Sequence, residues 1–172
     1  MGNRRGLPAA HRGKRARRHD NGHAEWPCCV TPGTWEPERL FASLGTNNGS
    51  PDIYIRAGVA FITWVRDGFI MFASNAEGPF GTHRFNTGGF GPKVAASATS
   101  GVVDHVFVTW TVPRTGGDQV FFAESTSAAS FGPWNGAFIA PAGTRAFSVG
   151  AFATRATVVY GTGANVAARS QA

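Results

Sequence analysis

The chain has 172 residues, enough for one domain, and its 23 glycines, 14 phenylalanines and 15% charged residues favour short strands and tight turns over amphipathic helices. No window approaches the roughly 18 consecutive apolar residues of a membrane span, and the N-terminus lacks the apolar segment of a signal peptide, so neither a membrane partner nor an export signal is predicted. The net charge of +6 is concentrated in residues 1–18, which hold seven bases and no acid, whereas the remainder holds nine bases and ten acids.

Residues 1–25 are predicted to form a disordered basic tail, because a block of like charges repels itself and buries no apolar surface. One function for residues 1–18 is to bind the phosphate backbone of a nucleic acid, with release of counterions. The alternative is a solvated extension, which the absence of aromatic residues among the bases favours.

Cys28 and Cys29 are the two cysteines of the chain, and their adjacency disfavours a disulfide, because a bond between neighbours strains the peptide that joins them. A zinc chelate with His19 and His23 stays open as an alternative. Since no second cysteine pair and no helical pattern accompany these four residues, we expect neither a metal nor a cofactor.

Residues 26–50 follow as a turn-rich approach segment, marked by several Pro, Gly and Asn residues, and residues 51–172 form the predicted β-repeat domain. The first unit of the domain, Val59–Phe80, contains two runs of β-branched and aromatic residues separated by Asp67-Gly68. That dipeptide is among the strongest hairpin signals in a sequence.

Val106–Trp134 is a second copy of this unit. Trp110 follows Trp64 by 46 residues, Phe-Val-Thr-Trp aligns with Phe-Ile-Thr-Trp, and both copies close on Gly-Pro and an aromatic residue. A period of roughly 40–50 residues is typical of propeller blades. A third copy begins at residues 157–160, and we expect it to end before its hairpin partner is complete.

Both faces of the first strand are apolar or aromatic. Alternation places Phe61, Thr63 and Val65 on one face and Ala60, Ile62 and Trp64 on the other. The hairpin therefore needs cover on both sides, which neighbouring blades provide. We predict an all-β fold, an incomplete β-propeller of about two and a half blades of antiparallel strands, with a β-sandwich of the same hairpins as the alternative.

Sialidase-like glycoside hydrolase propellers have a blade repeat that resembles VFVTWTVPRTGGDQVFFAESTSAASFGPW, residues 106–134. In that repeat a strand ending in Trp leads through a hairpin to a run that closes on Ser. The Asp-box turn of sialidases is degenerate here, because Ser127 stands where Asp is expected. The Gly-Pro-aromatic ending instead resembles the five-bladed furanosidase-type glycosidases.

Three carboxylates are candidates for glycoside hydrolysis, which needs two carboxyl groups flanking the bond. The resemblance points to Asp52, because furanosidase-type enzymes carry a catalytic Asp just before the inner strand of the first blade. Glu124 ends an aromatic strand and is placed to face a ligand channel, and Asp104 precedes an inner strand as either a turn residue or a site residue. For substrate binding we add Trp134, whose apolar face suits a sugar ring, and Arg56, one of the arginines available to bind a carboxylate.

Counting blades weakens the enzyme hypothesis. Propellers close with roughly 4–8 blades, so this chain would be a fragment, a decayed copy or a subunit that completes the ring as a homo-oligomer. The sequence therefore predicts a carbohydrate-related propeller module, either glycan-binding or a truncated glycosidase-like domain. The alternative is a capsid-like all-β protein that binds nucleic acid through the basic arm. The resembled families are often extracellular, and localisation stays open.

Overall fold

A computed structural model describes residues 47–171 apart from residues 79 and 131. The predictions made for the basic tail, for Cys28 and Cys29 and for most of the approach segment lie outside these residues. The described part of the chain consists of antiparallel strands joined by turns: β1 (Asn48–Arg56), β2 (Val59–Arg66), β3 (Phe69–Ser74), β4 (Gly81–Gly88), β5 (Phe90–Thr99), β6 (Val102–Val112), β7 (Gln119–Ser125), β8 (Asn135–Phe138), β9 (Thr144–Phe152), β10 (Arg155–Thr162) and β11 (Asn165–Ser170).

Three separate sheets follow one another along residues 48–170, each a meander in which every strand pairs with its sequence neighbours. Sheet 1 contains β1–β4, sheet 2 contains β5–β8 and sheet 3 contains β9–β11. The prediction of an all-β fold is confirmed for the described residues. These residues include no helix of the length and apolarity that crossing a membrane requires.

The sequence repeat occupies the second and third strands of sheets 1 and 2. Trp64 on β2 pairs with Met71 on β3, and Trp110 on β6 pairs with Phe121 on β7. The Asp-Gly turn between β2 and β3 has positive φ at both residues, 51° and 79°, as a two-residue hairpin of this kind requires. Both predicted hairpins are therefore confirmed.

A strand precedes the predicted hairpin in every sheet. The sequence pattern puts the inner strands of the units at 59–65 and 106–111, whereas β1, β5 and β9 come first in the three sheets. β1 contains Pro51, and β5 consists largely of small residues. Neither strand has the run of β-branched and aromatic residues by which strands are recognised in a sequence.

The third unit is more complete than its sequence suggests. Residues 157–160 lie in β10. The expectation that the chain ends before a hairpin partner is complete is wrong, because β11 pairs with β10. The pairing runs from Thr157 opposite Ser170 to Thr162 opposite Asn165. β11 is short and almost wholly exposed, so its strand conformation depends on this pairing and not on a pattern of its own. The described residues thus form two four-stranded sheets and one three-stranded sheet, where the sequence predicted two complete repeat units and half of a third.

Sheet 2 is covered on both faces by its neighbours. On one face Val108 packs in a cluster with Phe61 and Phe72 of sheet 1. On the other face Phe107 packs in a cluster with Val158 of sheet 3. The first strands of successive sheets are also in contact, β1 with β5 and β5 with β9. Sheet 2 is therefore the common core of the described region.

The two-faced apolar pattern predicted for the β2–β3 hairpin is confirmed. Phe61 belongs to the cluster shared with sheet 2, whereas Trp64 belongs to a separate cluster with Met71 and Ala73. Since side chains alternate along a strand, Trp64 lies on the opposite face of sheet 1 from Phe61.

The passage from sheet 1 to sheet 2 depends on Gly89. Its N–H donates a hydrogen bond to the carbonyl of Gly68 at 2.9 Å. A Cβ at this position would lie 2.2 Å from the carbonyl oxygen of Thr111 and 2.6 Å from Cδ1 of Trp110. The close approach therefore requires glycine, and it brings the chain that leaves β4 against Trp110.

Candidate functional site

Two clefts lie between the sheets, one on each face of sheet 2. The first cleft, between sheets 1 and 2, has a volume of about 290 Å³ and is lined by parts of β4, β6 and β7 and by Trp134. The second cleft, between sheets 2 and 3, has a volume of about 480 Å³ and is lined by parts of β7, β8, β10 and β11. Gly136 of the short strand β8 lines both clefts, so this strand separates them.

The turn between β7 and β8 places Trp134 at the first cleft. Two hydroxyls in it, those of Ser125 and Ser127, each accept a hydrogen bond from a backbone N–H two residues ahead, at 3.2 and 3.1 Å. The hydroxyl of Ser130 then joins the turn to sheet 1, because it accepts a bond from the N–H of Ser74 at 3.1 Å and donates to the carbonyl of the first residue of β4 at 2.7 Å. The turn is thus fixed to the sheet that forms the opposite wall of the cleft.

Trp134 is the centre of an aromatic wall in the first cleft. Phe72 and Phe85 contact its ring edge to face, at centroid distances of 5.0 and 4.9 Å, and His83 stacks against it at 6.0 Å. Burial lowers the pKa of His83, so its ring is neutral at neutral pH and has one donor and one acceptor nitrogen.

Two indole N–H groups of residues that line the first cleft lack an acceptor. Nε1 of Trp110 and Nε1 of Trp134 are buried and have no hydrogen-bond partner among the described residues, and both rings line the cleft. Leaving such a donor unpaired costs about 1–3 kcal/mol. A ligand oxygen that accepts these bonds would recover part of that free energy. Asn86 and Thr87 add polar side chains to the same lining.

The second cleft is mainly apolar. Phe122 on β7 and Ile139, which directly follows β8, line one side of it, and Ala156 and Val158 on β10 line the other. Its polar lining comes from the ends of β8 and β11, namely Asn135, Arg169, Ser170 and Gln171.

A polar cluster is connected to the second cleft. The ring of His105 lies between two carboxylates, with Nδ1 3.5 Å from Oδ1 of Asp104 and Nε2 3.7 Å from Oε1 of Glu124. Oε2 of Glu124 accepts a hydrogen bond from Nε2 of Gln171 at 2.7 Å. Because Gln171 also lines the second cleft, this series of contacts leads from the cleft to Asp104.

Asp104 is held in its charged form. The hydroxyls of Thr99 and Ser97 donate hydrogen bonds to its carboxylate, the second at 2.8 Å, and lower its pKa to about 2. A glycosidase needs one carboxyl group that stays protonated until it protonates the leaving oxygen. Asp104 does not suit that role, and its hydrogen bonds to β5 give it a structural role in the β5–β6 hairpin.

Asp52 lies within β1, which is the first strand of sheet 1. The resemblance instead predicted a position in the segment that precedes the first strand. Its Oδ2 accepts a hydrogen bond from the N–H of Val94 at 2.9 Å, and its Oδ1 lies 3.5 Å from Nζ of Lys93. Both partners are on β5, the first strand of the next sheet. Asp52 therefore joins the first strands of sheets 1 and 2, which explains its position without a catalytic role.

The five residues singled out from the sequence do not form one site. Asp104 and Glu124 meet at one imidazole, Trp134 lines the first cleft, and Asp52 lies between β1 and β5. Arg56 is exposed at the end of β1, beside the turn into β2. Within residues 47–171, no group of three or more His, Cys, Asp or Glu side chains is placed to hold a metal ion.

Sequence reasoning missed His83, His105 and Gln171. A signal for His105 exists, because the β6–β7 hairpin pairs Glu124 with Phe107, and His105 lies two residues earlier on the same face of the sheet. No local pattern indicates His83 or Gln171. Each reaches its cleft through the packing of one sheet on the next.

The role of Asp52 can be tested by comparing two substitutions. Asp52→Ala leaves the buried N–H of Val94 without its acceptor, so we expect a loss of about 1–3 kcal/mol in the free energy of unfolding. Asp52→Asn keeps an oxygen that can accept this bond, and we expect it to cost less. Urea denaturation measures both, and an Asp52→Ala variant as stable as the wild type would contradict the structural role.

Asp104 should make stability depend on pH in the acid range. Its folded pKa of about 2 is below the ordinary value of 3.8, so its contribution is present above about pH 4 and is lost as the pH falls towards 2. In denaturant titrations at a series of pH values, we expect Asp104→Asn to be less stable than the wild type at pH 7 and the difference to shrink between pH 4 and 2. Glu77→Gln, which changes an exposed turn residue, is the control. A difference that does not change with pH would contradict the assignment.

Comparison with protein-family models, with curated proteins and with solved structures found no match to this chain. The resemblance to glycoside hydrolase propellers is therefore carried by the residues of the repeat itself.

Proposed function

We propose that this chain is a carbohydrate-binding module of β-propeller type that binds a glycan in the first cleft and does not hydrolyse it. Two features support the propeller architecture in this proposal. The described residues form three antiparallel meanders in series whose first strands are in contact, and the 46-residue period puts the repeat on equivalent strands of sheets 1 and 2.

The observation that carries the binding function is the pair of unpartnered indole N–H groups on two residues that line one aromatic-walled cleft. Sugars present apolar C–H faces together with hydroxyl oxygens, and a hydroxyl oxygen can accept a hydrogen bond and donate one. The partly exposed ring of Trp134 supplies both an apolar surface and a donor, and the fully buried Trp110 carries a second unpaired donor. Neutral His83, with Asn86 and Thr87, supplies further donors and acceptors. The volume of about 290 Å³ is at the lower end of small-ligand sites and suits a short saccharide.

The carboxylates support binding without hydrolysis. None of the described residues that line the first cleft is Asp or Glu, so a bond held there would not lie between two carboxyl groups. Asp104 is held ionised, and Asp52 is engaged with β5. The nucleic-acid alternative depends on residues 1–18, which lie outside the described residues, and no described contact favours it.

Completion of the propeller by a second copy of the chain is part of this proposal. The three sheets of the described residues are fewer than the roughly four to eight that close a ring. The face of sheet 3 that points away from sheet 2 has three large apolar side chains, Phe147, Phe152 and Val166, with 52%, 86% and 69% of their surface exposed. A further sheet packed on this face would cover them.

The proposal is tested by screening the folded chain on a glycan array and titrating the best oligosaccharide by calorimetry. Trp134→Phe keeps an aromatic ring but removes one donor, so we expect affinity to fall roughly threefold to tenfold, as for one hydrogen bond. Trp64→Phe is the matched control, because Trp64 lies on the opposite face of sheet 1, and we expect it to bind like the wild type. Failure of the folded wild-type chain to bind any glycan, or equal affinity of all three proteins, would contradict the proposal.

A further inference from the structure

The second cleft has a chemistry of its own, distinct from that of the first. Its volume is about 480 Å³, within the range of small-molecule sites. Phe122 and Ile139 on one side and Ala156 and Val158 on the other make its walls apolar. A ligand that fills this space gains free energy chiefly by removing its own apolar surface from water.

One buried polar side-chain atom among the described lining residues lacks a partner. Oε1 of Gln171 is buried and makes no hydrogen bond with any described residue. The orientation of the amide is set by Glu124, because Nε2 of Gln171 donates to Oε2 of that carboxylate at 2.7 Å. Rotating the amide by half a turn would place its oxygen against the carboxylate, so the acceptor remains directed away from Glu124.

The neighbouring groups do not satisfy this acceptor. Nη1 of Arg169 donates to the carbonyl of Ile139 at 2.6 Å, and the imidazole of His105 lies on the far side of Glu124. A water molecule needs two to four polar partners to be held in a buried site, whereas most of the cleft surface is apolar, from Phe122, Ile139, Ala156 and Val158. A ligand with one donor and an apolar body fits these walls better than water does.

The donor and acceptor pattern also selects the class of ligand. A carboxylate at Oε1 of Gln171 would place acceptor against acceptor and would be repelled by Glu124, while Arg169 in the lining already donates to the carbonyl of Ile139. An ammonium ion would lose hydration among the apolar walls and would meet the like charge of Arg169 in the lining. A neutral hydroxyl on an aromatic or aliphatic body meets neither penalty.

We infer that the second cleft is a binding site for a neutral, mainly apolar molecule with one hydroxyl group, whose proton is donated to Oε1 of Gln171. Phenols are the simplest members of this class. The site is separate from the glycan site of the first cleft, because sheet 2 lies between them.

The experiment compares 4-fluorophenol with 4-fluoroanisole, which has a similar size and lacks the donor. Fluorine NMR titration of each probe against the full chain gives the two affinities. For the wild type we expect 4-fluorophenol to bind at least threefold more tightly, as for one hydrogen bond. Gln171→Met keeps the length of the side chain and removes the amide oxygen, so we expect the two probes to bind it equally.

A second variant tests the location. Ala137 is exposed on β8 and lines the cleft, so Ala137→Trp fills the cleft without disturbing the core, and we expect both probes to lose binding; Ala137→Ser is its control. Trp134→Phe should bind 4-fluorophenol like the wild type, which separates this site from the glycan site. The inference is overturned if neither probe binds the wild type, if both bind it equally, or if binding persists in Ala137→Trp.

Discussion

Burial of the β6 strand on both faces is the constraint on which the rest of the structure depends. Phe107 points to sheet 3, whereas Val108 and Trp110 belong to the cluster shared with sheet 1, and all three side chains are fully buried. A strand of this kind cannot be stable in a single hairpin, because each face needs a partner sheet to exclude water. Sheet 2 therefore requires sheets on both sides, and the contacts of β1 and β9 with β5 supply them at the first strands.

The clefts follow from the same packing. Successive sheets are in contact along their first strands, and the clefts open between the later strands, with β8 separating one from the other. Their chemistry differs because residues alternate along β7: Phe121 faces the first cleft and Phe122 faces the second. The first cleft thus combines aromatic rings with unpaired donors, and the second combines apolar walls with one unpaired acceptor. Two different ligand chemistries arise from the two faces of one sheet.

The fold was predictable where the sequence has a strong local pattern. The aromatic runs, the Asp-Gly turn and the repeat around Trp64 and Trp110 predict both hairpins and their two-sided burial, and the structure confirms them. The strands at the start and end of each sheet have no such pattern, since β1 contains Pro51 and β11 is short and almost wholly exposed. They form because a neighbouring strand offers backbone pairing. The candidate sites were less predictable. Trp134 could be proposed from its type alone, but the joining of His105 to Glu124 and of Gln171 to the second cleft depends on register and on sheet packing.

The most direct measurement of the central claim, that a glycan occupies the first cleft and pairs with its indole donors, is a titration followed by the indole N–H signals in a proton–nitrogen correlation spectrum. Trp110 and Trp134 line the cleft, whereas Trp64 lies on the far face of sheet 1 and provides an internal reference. We expect the signals of Trp110 and Trp134 to move together and to saturate with the glycan, while the Trp64 signal stays in place. A bound glycan that leaves both of these signals unchanged, or that shifts Trp64 instead, would contradict the claim.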